Sequence, residues 1–162
     1  MAVPLSTYLN DHLGGARIAV ELLEAMRDGH DDPKFREFAT SLLPEVQQDD
    51  RTLRTIAERI GPGPSAIKEA GGWLVEKAAR LKLGPSGSTD FAMFETLELL
   101  TLGIHGKSCL WEALQVVSRV DSRLQEFDFE ELIRRAQQQY EEVDRRRLEL
   151  ARTVLSSGTE AA

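Results

Sequence analysis

The chain has 162 residues and a formal net charge of −7, with 41% hydrophobic and 29% charged residues. These values are typical of one globular domain with its own core, and the acidic balance argues against nucleic acid or an anionic membrane surface as the main partner. The single cysteine, Cys109, excludes an internal disulfide framework. Because the chain shows neither a signal-like segment nor a long apolar run, we expect a cytoplasmic protein.

The first long helix is predicted over residues 5–28. Apolar residues recur there at steps of three and four, as in Ala16, Val20 and Leu23, which is the period of one helix face. His12 falls within the same arc. We expect Gly29 to end this helix, because glycine accepts the left-handed conformation of a helix C-cap.

The second helix is predicted to begin at Asp32 and Pro33 and to end at Ile60, before a run of glycines and prolines. Asp32 can accept from the free amides of the first turn, and proline fits the first helical position. Pro44 lies inside this span. It removes one backbone hydrogen bond, so we expect a kink at residues 42–43.

A short connecting helix is predicted over residues 65–83, followed by a linker over residues 84–88. The third long helix begins at Thr89 or Asp90 and extends to Val120. It is apolar almost all round, which predicts burial on more than one side. It therefore lies either beneath the connecting helix or in the interface of a homodimer.

The fourth helix has the clearest start signal in the chain. Asp128 and Glu131 have the spacing of a capping box, and Phe127 and Leu132 that of a hydrophobic staple. One side of this helix is apolar. The opposite side is predicted to be charged and includes Arg135.

The order and lengths of these helices predict the topology. Short links make the first helix antiparallel to the second and the third antiparallel to the fourth, while the long middle connection can cross the whole bundle. The predicted fold is therefore an all-α four-helix bundle with a long crossover that contains an extra short helix. A single domain spans residues 1–156, and residues 157–162 form a flexible tail.

This arrangement, together with three short stretches, resembles the ferritin-like superfamily, and in particular small bacterial ferritin-like domains of unassigned function with a degenerate metal site. The stretches are Tyr-Leu-Asn-Asp-His at 8–12, Glu-Val-Gln-Gln-Asp at 45–49 and Leu-Gly-Ile-His-Gly-Lys at 102–107. The resemblance implies a site of two glutamates and two Glu-x-x-His motifs. No Glu-x-x-His occurs in this chain, so we expect the family's di-iron centre to be lost.

Counting along the helices places His12, Asp49 and Lys107 at one height near the middle of the bundle, each within an apolar arc. Tyr140 is expected to point inward at a nearby level. The hypothesis is a buried polar cluster of these four residues, in which Lys107 supplies the positive charge that a metal supplies in relatives. A buried ammonium needs a partner, and Asp49 is the expected one.

Two alternatives remain open. His12, Glu45 and Asp49 can be interpreted as ligands of iron or manganese in a divergent redox or ferroxidase-like bundle. Alternatively, Lys107 extends to the edge of the bundle and Asp49 is a solvated residue. No catalytic residue is predicted, and the favoured function is a metal-free interaction or structural module without a cofactor.

Overall fold

The computed structural model describes residues 4–61 and 89–156. Within these residues it shows four long helices, one turn of 3₁₀-helix at Ser122–Leu124, and no strand. The all-α prediction is therefore confirmed for the described residues. The helices are α1 (Pro4–Gly29), α2 (Pro33–Ile60), α3 (Asp90–Ser118) and α4 (Phe129–Val154).

Three of the four helices begin at a side chain that caps the first turn. The Asp32 carboxylate accepts from the Lys34 amide at 2.9 Å, and Pro33 occupies the first position of α2. The Thr89 hydroxyl accepts from the Ala92 amide of α3. Each of these bonds satisfies an amide that has no partner within its helix.

The start of α4 also follows its sequence signal. The Asp128 carboxylate accepts from the Glu131 amide at 3.0 Å. Phe127 and Leu132 pack in the same apolar cluster, as expected for a hydrophobic staple. The Glu131 carboxylate pairs with the guanidinium of Arg134.

The ends of α1 and α2 differ from each other. Gly61 follows α2 with φ +98°, in the left-handed region that favours glycine. Gly29 is the last residue of α1 and does not have a positive φ, so the expected left-handed cap at this residue was wrong. The His30 amide instead continues the helical pattern by donating to the Met26 carbonyl. Helix α2 continues through Pro44.

Two apolar clusters show how the helices run. One joins the second halves of α1 and α4 to the first halves of α2 and α3; its central residues include Leu23, Leu42, Leu97 and Val143. The other joins the opposite halves, around residues such as Leu9, Ile56, Trp111 and Ala136. Helices α2 and α3 therefore run in the same direction, antiparallel to α1 and α4.

This arrangement sets the neighbours of each helix. Helix α1 packs against α2 and α3, and α3 packs against α4. Ile60 and Asp90 lie at opposite ends of the bundle. The predicted connecting helix at 65–83, the linker at 84–88 and the tail at 157–162 lie outside the described residues. In the part of the chain that the structure describes, no helix has the length and apolar character needed to cross a membrane.

Candidate functional site: a buried ion-pair network

Asp49 lies in the apolar face of α2, between Val46 and Leu53. The steps of three and four residues that place those two side chains in the core place Asp49 there as well. Only 3% of Asp49 is exposed to solvent. A carboxylate removed from water to this extent strongly destabilises a fold unless it is paired.

The first partner of Asp49 comes from α3. The Lys107 ammonium donates to Oδ2 of Asp49 at 2.5 Å, and it also donates to Oε1 of Gln139 on α4. The Lys107 side chain is 15% exposed, so the pair lies inside the bundle rather than at its edge. Three helices meet at this one cation.

The second partner comes from α4. The Arg135 guanidinium donates to Oδ1 of Asp49, so that each oxygen of the carboxylate faces a different cation. Charge-assisted bonds of this kind are stronger than bonds between neutral groups. Sequence analysis placed Arg135 on the charged outer side of α4. Its position lies at the flank of the apolar face, and a long side chain can turn inward from there.

Gln139 completes the network. Its amide nitrogen donates to Oε2 of Glu45 at 3.0 Å and to Oδ2 of Asp49 at 3.3 Å, while its amide oxygen accepts from Lys107. The amide thereby links Glu45, Asp49 and Lys107, and Arg135 joins through Asp49, so that two carboxylates and two cations carry no net charge together. Every polar atom of the Gln139 side chain is used, which suits a residue that is 2% exposed.

Sequence reasoning missed Gln139, although the signal was present. Ala136, Gln139 and Val143 follow one another at steps of three and four residues, so position 139 lies at the centre of the apolar arc of α4. A polar residue at such a position is as informative as Asp49 on α2. The neighbouring Gln138 is exposed.

Burial lowers the pKa of Lys107 below its ordinary value. The negative charge of Asp49 raises this pKa, and the positive charge of Arg135 lowers it, but removal of the ammonium from water is the largest effect. The ammonium is therefore held in an environment that disfavours its charge, and its bonds to Asp49 and Gln139 offset part of that cost.

The other two members of the expected cluster lie elsewhere. His12 lines a cavity together with Asp49 and Lys107, but its closest described ring contact is Tyr8, edge to face at 4.6 Å between centroids. Burial lowers the pKa of His12, against a smaller opposing effect of Asp11. Among the described residues, no hydrogen bond joins His12 to the network.

Tyr140 is directed to the flank of α4 opposite Arg135. Its ring lies 6.1 Å from the ring of His105, centroid to centroid. The residue beside it, Gln139, occupies the inward position that Tyr140 was expected to share. Within the described ranges, Tyr140 makes no hydrogen bond to Asp49 or Lys107.

The residues at this site do not fit the metal centre that the family resemblance implies. Both oxygens of Asp49 accept from cations, and two positive charges beside a carboxylate repel a metal ion. Gln139 holds Glu45 and offers only an amide at the inward position of α4. No group of three or more His, Cys, Asp or Glu side chains positioned for a metal is found in residues 4–61 and 89–156.

A cavity of about 280 Å³ lies next to the network on the side of α1 and α3. It is lined mainly by aliphatic side chains and glycines from α1, α2 and α3. Trp111 also lines it. The indole nitrogen of this residue is buried and has no hydrogen-bond partner among the described residues.

Comparisons with known proteins add no assignment, since no protein-family model, curated protein or solved structure matches the chain. The resemblance to the ferritin-like superfamily therefore stays a prediction.

Proposed function

We propose that this chain is a metal-free, ferritin-like helical bundle that serves as an interaction or structural module in the cytoplasm. The observation that carries the proposal is the position of two cations, Lys107 and Arg135, on the two oxygens of the buried Asp49. A carboxylate at the centre of a four-helix bundle can coordinate a metal only when its oxygens are free. In this chain the charges of Lys107 and Arg135 lie where a metal ion would contact those oxygens.

The network suits a module that must keep one shape. It joins α2, α3 and α4 at a single height, and a shift of any helix by one turn would leave a buried charge without a partner. Buried polar groups are poor sources of net stability, but they can specify one packing arrangement over others. Such a bundle presents its outer faces in a constant geometry.

Metal analysis tests this proposal. The protein is produced in medium supplemented with iron or with manganese, purified without chelators, and analysed for bound metal. We expect far less than one metal ion per chain under either condition. A stoichiometric ion that is lost in an Asp49→Asn variant and kept in an Asp50→Asn variant would contradict the proposal and support the divergent redox bundle.

Helix α3 offers the surface for a partner, and the proposed partner is a second copy of the chain. Large apolar residues remain exposed on one face of α3 along most of its length: Phe91, Leu102 and Val116; the exposed Val120 follows in the turn after the helix. Positions 91, 102 and 116 fall within a narrow arc at about 100° per residue, with Glu98 and Cys109 between them. Exposed large apolar residues grouped on one helix face mark contacts with other molecules, and a two-fold dimer buries the same face of both copies.

Light scattering coupled to gel filtration tests the dimer. We expect the unmodified chain to have twice the mass of a monomer, and the double variant Phe91→Glu/Val116→Glu to be monomeric. Leu148→Glu on α4, an equally exposed apolar position, is the matched control and should remain dimeric. A monomeric unmodified chain would contradict self-association and leave the metal-free bundle unaffected.

A further inference from the structure

The cavity beside the ion-pair network is large enough for a small organic molecule. Its volume is about 280 Å³, and it opens to solvent beside the exposed Gly15, Leu102 and Gly103. For comparison, a fully buried apolar cavity of about 150 Å³ is enough to hold benzene. The walls come from α1, α2 and α3 and are mostly aliphatic, with Leu22, Leu53 and Leu100 among them. Ligand sites in proteins combine such apolar walls with a few fixed polar groups.

Glycines in the interiors of the two facing helices keep this space open. Gly15 on α1, with Gly103 and Gly106 on α3, lines the cavity. A Cβ atom added at any of the three would meet nothing within 4 Å. Close contact between helices therefore does not explain these glycines, although glycine destabilises a helix interior relative to alanine. They leave room that larger side chains would fill.

Trp111 supplies an independent indication of a ligand. The residue is 1% exposed and lines the cavity, and its buried indole N–H has no acceptor among the described residues. Buried donors in folded proteins almost always have a partner. A hydrogen-bond acceptor on a bound molecule would provide one.

The charges around the cavity select an uncharged molecule. The ammonium of Lys107 is already paired with Asp49, and Oδ2 of Asp50 is paired with Arg54. Oδ1 of Asp50 is buried without a described partner, so it can accept from a neutral donor on the ligand. Burial lowers the pKa of His12, which favours the neutral imidazole at neutral pH. A charged ligand entering this space would lose its hydration without gaining a free counter-charge.

We propose that the cavity is a binding site for a small, uncharged, largely apolar molecule of single-ring size, whose carbonyl oxygen accepts from the Trp111 indole N–H. The site does not depend on the absence of a metal, but it shares Leu102 with the α3 face of the proposed dimer. It gives the α1–α3 side of the bundle a ligand, whereas the α2–α4 side is closed by the chain's own side chains.

Two probes of the same shape test the site. Acetophenone carries the carbonyl oxygen, and α-methylstyrene replaces that oxygen with a CH₂ group. Each is titrated into the ¹⁵N-labelled full chain while the indole N–H resonances are followed; a Trp73→Phe variant assigns the Trp111 signal. We expect acetophenone to shift the Trp111 resonance in a saturable way and to bind about tenfold more tightly than α-methylstyrene, the value of one modest hydrogen bond.

A pair of adjacent glycines provides the matched control. Gly15→Leu places a large side chain in the cavity and should abolish the shift. Gly14 does not line the cavity, so Gly14→Leu should leave the shift unchanged. The proposal is overturned if acetophenone leaves the Trp111 signal unmoved, as when the chain itself or a second copy fills the space. It is also overturned if both probes bind equally or if Gly15→Leu retains the shift.

Discussion

The α2–α4 side and the α1–α3 side of the bundle use their interior positions in opposite ways. Between α2 and α4 the long side chains of Arg135 and Gln139 meet the buried Asp49, and further along Arg146 lies 4.4 Å from the centre of the Phe38 ring. Between α1 and α3 glycines leave a cavity and an indole N–H without a partner. The first side is filled by long charged and polar side chains, although Nε of Arg135 and Nε of Arg146 are buried there without a described partner. The second side is open.

The difference shows that a polar group buried in the core of a bundle either has partners within the fold or lacks them. Asp49 is buried together with its partners, so its charge holds three helices in register. Trp111 is buried without a partner for its N–H, so it remains available to a ligand. Substitutions on each side test this contrast.

The largest effect is expected for Asp49→Asn. The substitution removes the carboxylate that both Lys107 and Arg135 contact, and removing one member of a buried pair costs about 3–5 kcal/mol. Urea unfolding measures the loss. Asp50→Asn is the matched control, because Asp50 pairs with the exposed Arg54 and its loss should cost less than about 1 kcal/mol. Equal stability of the two variants would contradict the role of Asp49.

The second-largest loss of stability is expected for Gln139→Leu. Leucine fits the apolar surroundings but removes the amide oxygen that accepts from the largely buried Lys107, and an unsatisfied buried polar group costs about 1–3 kcal/mol. The same unfolding experiment measures the change. Gln138→Leu on the exposed side of α4 should change the free energy of unfolding by less than about 0.5 kcal/mol. If leucine at 139 stabilises the fold, the network is not required there.

The third substitution acts on the open side and should stabilise the protein. Gly15→Ala adds a Cβ where nothing lies within 4 Å, and alanine in a helix interior is favoured over glycine by about 0.8–1 kcal/mol. Gly61→Ala is the contrasting control, since its φ of +98° should make alanine destabilising by about 1 kcal/mol or more. A destabilising Gly15→Ala would mean that α1 and α3 pack closely at that position.

The smallest effect concerns pH and His12. Because burial lowers the pKa of His12, the unfolded chain takes up a proton at a higher pH than the folded chain. The stability that depends on a neutral His12 is therefore present above about pH 6.5 and is lost as the pH falls through the lowered pKa. His12→Asn should lack this part of the pH dependence in urea unfolding. Parallel pH profiles for the two proteins would show that His12 does not contribute.

Local signals made much of the fold predictable. Asp32, Thr89 and Asp128 cap helices whose starts were identified from the sequence, because a capping side chain acts on amides only two or three residues away. The end of α1 was less predictable. Glycine permits a left-handed cap but does not require one, and the chain at Gly29 stays helical.

The candidate site was predictable only in part. The periodicity of α2 and α3 placed Asp49 and Lys107 inward at one height, and the structure brings them together. The same reasoning chose His12 and Tyr140 as partners where the structure has Gln139 and Arg135. The height of a residue in the bundle and the direction it faces can be counted along its own helix. Which residue of a neighbouring helix contacts it depends on the distances between helices and on side-chain length.

The sequence by itself determined the class of the fold, the starts of the helices and the inward position of the charged pair, since these follow from interactions within a few residues and from the period of the helix. Only the tertiary structure decided which cations meet Asp49, that Gln139 joins them to Glu45, and that a cavity remains beside Trp111. Those features depend on how far apart four helices pack, and that separation arises from all their side chains together.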